Sequence, residues 1–243
     1  MRHKLKREIK LAFEAPTPIR KESFLCQFDY PKVSQFDFIK AQVGYIRKRV
    51  WILSLLLFTV TLFDLHFYVV STSFVRVISS VLPFISLISV SEIVRSITYN
   101  MEELEMSCKH NFLEIFLIRA GILGTANFIF LISILFLFVG KTDFGFFKLG
   151  LFLTTPYLLN CYISLIVLNC LKSRDITYIC GIVTAFVSIS NVLITIQVND
   201  IYTEKYWTLW IMSFIVLSIL SAIEFMKLIK KMEEFKWSSS LTV

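Results

Sequence analysis

The sequence holds few of the residues that build metal and catalytic centres. Its only histidines are His3, His66 and His110, and no His-Glu-x-x-His motif of a zinc protease is present. The five cysteines include no Cys-x-x-Cys pair. We therefore expect no metal site and no cofactor bound by this chain.

Motifs of catalysis and nucleotide binding are also missing. There is no Gly-x-Ser-x-Gly element, and the Glu102-Glu103 pair is not followed by the arginine of a Glu-Glu-x-x-x-Arg protease motif, because Ser107 stands there. The Gly140-Lys141-Thr142 run lacks the glycine that a P-loop needs five residues earlier, where Leu135 stands. The sequence thus predicts neither an enzyme nor an ATP site.

Charge is absent from long stretches of the chain, and 56% of all residues are hydrophobic. About 20 mostly apolar residues suffice for a helix to cross the bilayer core. We therefore predict an all-α integral membrane protein with six transmembrane helices. The predicted spans are 50–70, 77–94, a segment within 112–139, 149–171, 176–198 and 206–223.

The distribution of Lys and Arg predicts the orientation. Twelve of these residues precede position 50, and twenty lie on the side that carries both termini, against four on the other side. Cytoplasmic loops are the ones enriched in Lys and Arg. We expect a cell-membrane protein with both termini cytoplasmic, whose positive charge meets anionic lipid and not nucleic acid.

Three cytoplasmic parts follow from this topology. Residues 1–49 form a basic segment, and apolar positions at Val33, Phe36, Ile39, Val43 and Ile46 predict an amphipathic interfacial helix before the first span. The spans occupy 50–232, interrupted by a cytoplasmic loop at 95–111, and 233–243 forms a tail. In the loop, an apolar face and an acidic character indicate either a helix that docks on a partner or a solvated turn.

The loop carries a resemblance to a known family. An amphipathic entry helix, two spans, an acidic cytoplasmic helix and four more spans resemble the membrane subunit of ABC-2-type transporters. In that family a Glu-x-Leu element, then a Ser, commonly precede the third helix; this chain has Glu102-Glu103-Leu104 and Ser107 before Phe112. Residues 12–25 also resemble small Firmicutes membrane proteins that accompany an ABC ATPase.

The resemblance implies a coupling helix over Tyr99–His110, seated in a groove of a separate ATPase subunit that binds ATP and Mg. The residues that would make this contact are Met101, Glu102, Glu103, Leu104, Glu105 and Cys108. A second copy of the chain, or a related permease subunit, would complete the pathway.

Polar residues inside the spans are candidates for a pathway or for helix packing. They are Asp64, Asn127, Asn160, Asn169 and Asn191. The small residues Ala120, Gly121 and Gly124 predict a close helix contact, either within the bundle or in a dimer. Near the cytoplasmic helix ends, ion pairs between helices would fix the bundle; the candidates are Glu92, Arg95, Glu114, Arg119 and Glu224.

Together these features predict the permease subunit of an ABC-2-like exporter of an apolar or amphipathic substrate, such as a peptide or lipid. The alternative is a membrane scaffold or regulator that does not transport. Such a protein would anchor a cytoplasmic signalling partner through residues 1–49.

Overall fold

The computed structural model describes residues 35–67, 72–95, 99, 112–139, 145–171, 175–197, 202 and 204–240. For residues 35, 62–67, 72–74, 112, 139, 204 and 234–240 it describes only the backbone. The chain divides into a unit of residues 1–38 and a unit of residues 39–243, and the packing discussed below is that of the second unit.

The described part of the chain is helical throughout. Its α-helices are α1 (Gln35–Tyr45), α2 (Lys48–Phe67), α3 (Thr72–Ile93), α4 (Phe112–Val139), α5 (Phe146–Cys170), α6 (Ile176–Gln197) and α7 (Trp207–Ser240), and a short 3-10 turn, Glu204–Tyr206, precedes α7. Each predicted span falls largely on one of the helices α2 to α7. The last helix runs well past the predicted end of its span at residue 223.

Among the described residues, five helices, α3 to α7, are long and apolar enough to cross a membrane. Their apolar segments are Val75–Ile93, Leu113–Phe138, Phe146–Cys170, Ile176–Gln197 and Trp207–Glu233. This confirms the prediction of a helical membrane protein. The helix α2, which holds the predicted first span, is not among the five, so the sixth crossing stays a prediction.

The helix α3 lies at the centre of the bundle and packs on α2, α4, α5 and α6. It buries Val75, Ile78, Leu82 and Ile85, whose spacing of three and four residues places them on one helical face. The helix α7 packs mainly on α5 and leaves most of its surface exposed. We name the two ends of the bundle after Tyr202, in the connection between α6 and α7, and Glu92, near the end of α3.

An aromatic cluster closes the core at the Tyr202 end. The ring of Phe152 on α5 lies 5.0 Å from the ring of Tyr202 and 5.1 Å from that of Trp210, both edge-on. Tyr202 and Trp210 stack on each other with ring centroids 6.1 Å apart. These contacts fix the start of α7 against α5, since aromatic pairs add stabilisation beyond the area that they bury.

Replacing Phe152 by alanine should destabilise the bundle, because this ring is 1% exposed and its removal leaves a cavity at the centre of the cluster. We expect a loss of about 3 kcal/mol or more, measured by thermal or denaturant unfolding of the purified protein in detergent. Phe147→Ala is the matched control, since its ring, on the same helix, is 80% exposed. Equal losses for the two variants would contradict the packing described.

Candidate functional site

Three asparagines from three helices hydrogen-bond to serines of the central helix α3. Asn191 of α6 donates to Ser79 at 2.9 Å, and Asn160 of α5 donates to Ser86 at 2.5 Å. Asn127 of α4 donates to the hydroxyl of Ser89 at 2.8 Å. We call these three pairs the amide–serine contacts.

Each serine in these pairs accepts from the amide and donates to its own helix. The hydroxyl of Ser79 donates to the carbonyl of Arg76, that of Ser86 to Pro83, and that of Ser89 to Ile85. A hydroxyl has one proton and two lone pairs, so it can fill both roles at once. The serines therefore satisfy the buried amide N–H groups without leaving their own protons unpaired.

Pro83 contributes to the same arrangement. The amide of Asn160 donates both to Ser86 and, at 3.0 Å, to the carbonyl oxygen of Pro83. A proline inside a helix has no N–H, which frees the carbonyl four residues earlier and loosens the helix locally. The side-chain bonds from α5 thus reinforce α3 near its weakest point.

Both α4 and α6 make a further side-chain hydrogen bond to a neighbouring helix. Asn127 also donates to the hydroxyl of Tyr157 at 3.1 Å, so that it joins α3, α4 and α5. Ser188 of α6 donates to the carbonyl of Ser80 at 2.6 Å. Buried on α5, Asn160 Oδ1 and Ser164 Oγ have no hydrogen-bond partner within the described structure.

Glu92 organises the opposite end of the bundle. Its carboxylate is buried and lies 2.7 Å from the guanidinium of Arg95, one turn further along the chain. The same oxygen accepts the backbone N–H of Arg47, between α1 and α2, at 3.4 Å. The guanidinium of Arg47 lies over the ring of Tyr99, 5.8 Å from its centroid.

A second bond joins the entry helix to the bundle. The side chain of Arg119 on α4 donates to Gln42 of α1 at 3.1 Å, and Gln42 is buried. Ile46 is buried beside this junction, whereas Ile39 and Val43, on the predicted apolar face of α1, are exposed. We call Gln42, Arg47, Glu92, Arg95 and Arg119 the entry cluster, since it fixes the segment that leads into α2.

The end of α5 is joined to α7 at the same end of the bundle. Asn169 donates to the Glu224 carboxylate at 2.8 Å and to its backbone carbonyl at 3.0 Å. Lys231 donates to the carbonyl of Asn169 at 2.7 Å. Lys227 pairs with Glu224 at 2.6 Å, within α7 itself.

The structure thus places all four predicted asparagines at contacts between helices. Whether they also line a pathway stays a prediction. The side chain of Asp64 and residues 100–110 of the predicted coupling helix Tyr99–His110 lie outside the described residues. The structure therefore gives no description of Met101, Glu102, Glu103, Leu104, Glu105 and Cys108.

The small residues of α4 do not lie in a tight contact with any described part of the chain. Gly121 and Gly124 are exposed, and a β-carbon added at either would meet nothing within 4 Å among the described atoms; Ala120 is half-buried. The sequence predicts a close contact for these residues either within the bundle or in a dimer. The described part of the bundle does not provide that contact. A contact with another subunit stays a prediction.

Several residues of the site escape sequence reasoning. Ser79, Ser86 and Ser89 are ordinary small residues in a span, and Gln42 lies between apolar positions of α1. One signal was available: α3 is rich in serine, and serines in a membrane span need partners inside the bundle. Their pairing with particular asparagines depends on helix order and register.

A double-mutant cycle on Asn160→Ala and Ser86→Ala should give a coupling free energy of about 0.6–1.7 kcal/mol, which are the average and the maximum measured for side-chain hydrogen bonds between membrane helices. Unfolding in detergent measures it. The control cycle pairs Asn160→Ala with Ser91→Ala, whose hydroxyl donates to Ile88 in its own helix. That second coupling should lie near zero, and two equal couplings would contradict the contact.

Glu92→Gln should loosen the junction of α1 and α2, because it removes the charge that holds Arg95 and the Arg47 N–H. Trypsin cleavage at residues 47–49 should become about tenfold faster if the local opening free energy falls by roughly 1.4 kcal/mol. Gel analysis of timed digests in detergent measures the rate. Glu233→Gln, which removes an exposed carboxylate on α7, should leave the rate unchanged.

Comparison with protein-family models, with curated proteins and with solved structures finds no match for this chain.

Proposed function

We propose that this chain is the membrane subunit of an ABC-2-like exporter that works with a separate ATPase subunit. The ATPase binds ATP and Mg and engages the loop that follows α3. This chain supplies the transmembrane pathway. Its substrate is apolar or amphipathic, in keeping with the Phe-rich helices.

The observation that carries the proposal is the position of the entry cluster at the base of the proposed coupling loop. Arg95 and Tyr99, at the start of that loop, both interact with groups around Arg47: Arg95 through the shared Glu92 carboxylate, and Tyr99 directly. A force applied to the loop would therefore act on the α1–α2 junction as well as on α3. A loop that only connected two helices would not need these polar contacts with the α1–α2 junction.

The proposed mechanism uses the hydrogen bonds between the central helix and its neighbours. Closure of the ATPase subunits on ATP would push the coupling helices. The push would reach α3 directly and α2 through Glu92. Because α3 is bonded to α4, α5 and α6 by the amide–serine contacts, its tilt would move these helices with it. Discrete rearrangement of packed helices is the usual form of such transitions.

The proposal includes a sixth crossing by α2, with both termini in the cytoplasm. The Lys and Arg distribution supports this orientation. The exposed Ile39 and Val43 of α1 would then lie against the cytoplasmic face of the bilayer, as in an interfacial helix. Two copies, or one copy and a related subunit, would enclose the pathway, and the exposed Gly121 and Gly124 of α4 suit such a contact.

Replacing Glu102, Glu103 and Leu104 together by alanine should abolish co-purification of an ABC ATPase with the tagged chain from its native membrane in mild detergent. The reason is that the carboxylates and the apolar anchor supply the contact. Quantitative mass spectrometry of the eluate measures the ATPase-to-chain ratio. Glu233→Ala with Glu234→Ala removes the same charge from α7 and serves as the control.

Two outcomes would contradict this function. An undiminished ATPase ratio in the triple variant would remove the coupling role of the loop. A chain lacking residues 1–30 that loses a stoichiometric partner other than an ATPase would instead favour the scaffold. The exporter should keep its ATPase after that deletion.

A further inference from the structure

The helix α1 is held to the bundle along one narrow stripe. Between residues 39 and 46, only Gln42 and Ile46 are buried, and they lie one helical turn apart. Gln42 accepts the hydrogen bond from Arg119 of α4, and the N–H of Arg47 donates to the Glu92 carboxylate of α3. Two hydrogen bonds thus connect this helix to α4 and α3, while most of its surface is exposed.

These two bonds place α1 at the level of a membrane surface. Glu92 is the second-to-last residue of the apolar segment of α3, and Arg119 lies about 9 Å from the start of that of α4. The apolar segment of α4 has 26 residues and is about 39 Å long, whereas the hydrocarbon core measures about 30 Å. In a bilayer both anchoring residues therefore fall near the boundary between hydrocarbon and headgroups.

The exposed surface beside this boundary combines apolar and basic side chains. Ile39 is 42% exposed and Val43 is 41% exposed, and the spacing of four residues places them on one face of α1. Lys40 on α1 is exposed, as are Lys48 and Arg49 at the start of α2. Apolar side chains that enter the acyl boundary, next to cations that attract anionic headgroups, are typical of interfacial helices that respond to lipid composition.

Attachment of α1 to the bundle and its binding to lipid support each other. A helix of 11 residues is only marginally stable in water by itself, so α1 loses its ordered face when it leaves the bundle. A surface that binds the attached helix more tightly than the released segment stabilises the attached form. The bonds to Arg119 and Glu92 then persist for a larger fraction of the time.

We infer that α1 responds to the charge of the bilayer surface: anionic headgroups bind Lys40, Lys48 and Arg49 and thereby keep α1 attached to α3 and α4. In neutral lipid α1 would leave the bundle more often. This inference rests on the proposed function for the position of α1 at the cytoplasmic face. It adds that the junction on which the coupling loop would act depends on anionic lipid.

Hydrogen exchange of the purified chain in nanodiscs tests the lipid response. We expect the amides of residues 39–46 to exchange about tenfold more slowly in equal parts of phosphatidylglycerol and phosphatidylcholine than in phosphatidylcholine alone. Lys48→Gln with Arg49→Gln should remove most of this difference. Lys205→Gln with Lys230→Gln removes the same charge from exposed positions of other elements and should keep it.

The connection to the bundle is tested at α4. Phosphatidylglycerol should also slow exchange around Arg119, at residues 116–122, because the attached α1 holds this side chain. Gln42→Ala should abolish the effect at α4 and leave an effect on α1, since Lys48 and Arg49 remain. Gln197→Ala removes an exposed amide from α6 and should preserve both effects.

Three results would overturn the inference: equal exchange of α1 in the two lipids, a full difference in the Lys48→Gln, Arg49→Gln chain, or a lipid effect on α1 that does not reach α4. The first comparison uses the unaltered chain, so it does not depend on the folding of a variant. No ATPase takes part in these measurements. A lipid response in a chain without an ATPase partner would remove only the exporter, and an ATPase that co-purifies with a chain lacking the response would remove only the lipid dependence.

Discussion

The arrangement of the helices depends on the hydrogen bonds of buried asparagine side chains, because these groups have no water to bond to. In hydrocarbon an unpaired N–H is costly. The asparagines of α4, α5 and α6 can therefore lie inside the bundle only where a hydrogen-bond acceptor is within reach. The serines of α3 provide those acceptors, at Ser79, Ser86 and Ser89. Because each serine also donates to its own helix, the contacts fix both the position and the rotation of the helices around α3.

This constraint explains why the central helix α3 is rich in serine. Apolar packing alone distinguishes poorly between helix registers in lipid, since a leucine side chain meets lipid nearly as well as protein. Hydrogen bonds at three separate levels of α3 allow one register. The aromatic cluster around Phe152 then holds the start of α7, which has few polar contacts until Asn169 meets Glu224 near the other end.

The two ends of the bundle differ in chemistry, and the difference bears on function. Around Glu92, charged groups are paired and connect the entry helix to the base of the loop after α3. Around Tyr202, the Arg76 Nε atom and the Tyr202 hydroxyl are buried without a hydrogen-bond partner among the described residues. The paired charges around Glu92 lie where the proposed coupling loop begins.

Length and hydropathy by themselves predicted the helical membrane class and the positions of the apolar helices, because crossing a bilayer needs long uncharged runs. Asparagines within those runs were visible in the sequence. The end of α7 could not be predicted in this way, because the apolar run ends before the helix does, and the helix continues to Ser240. Only the tertiary structure decided that α3 is central, that Gln42 meets Arg119, and that Gly121 and Gly124 face outward. These depend on contacts between residues distant in sequence, which a local pattern does not encode.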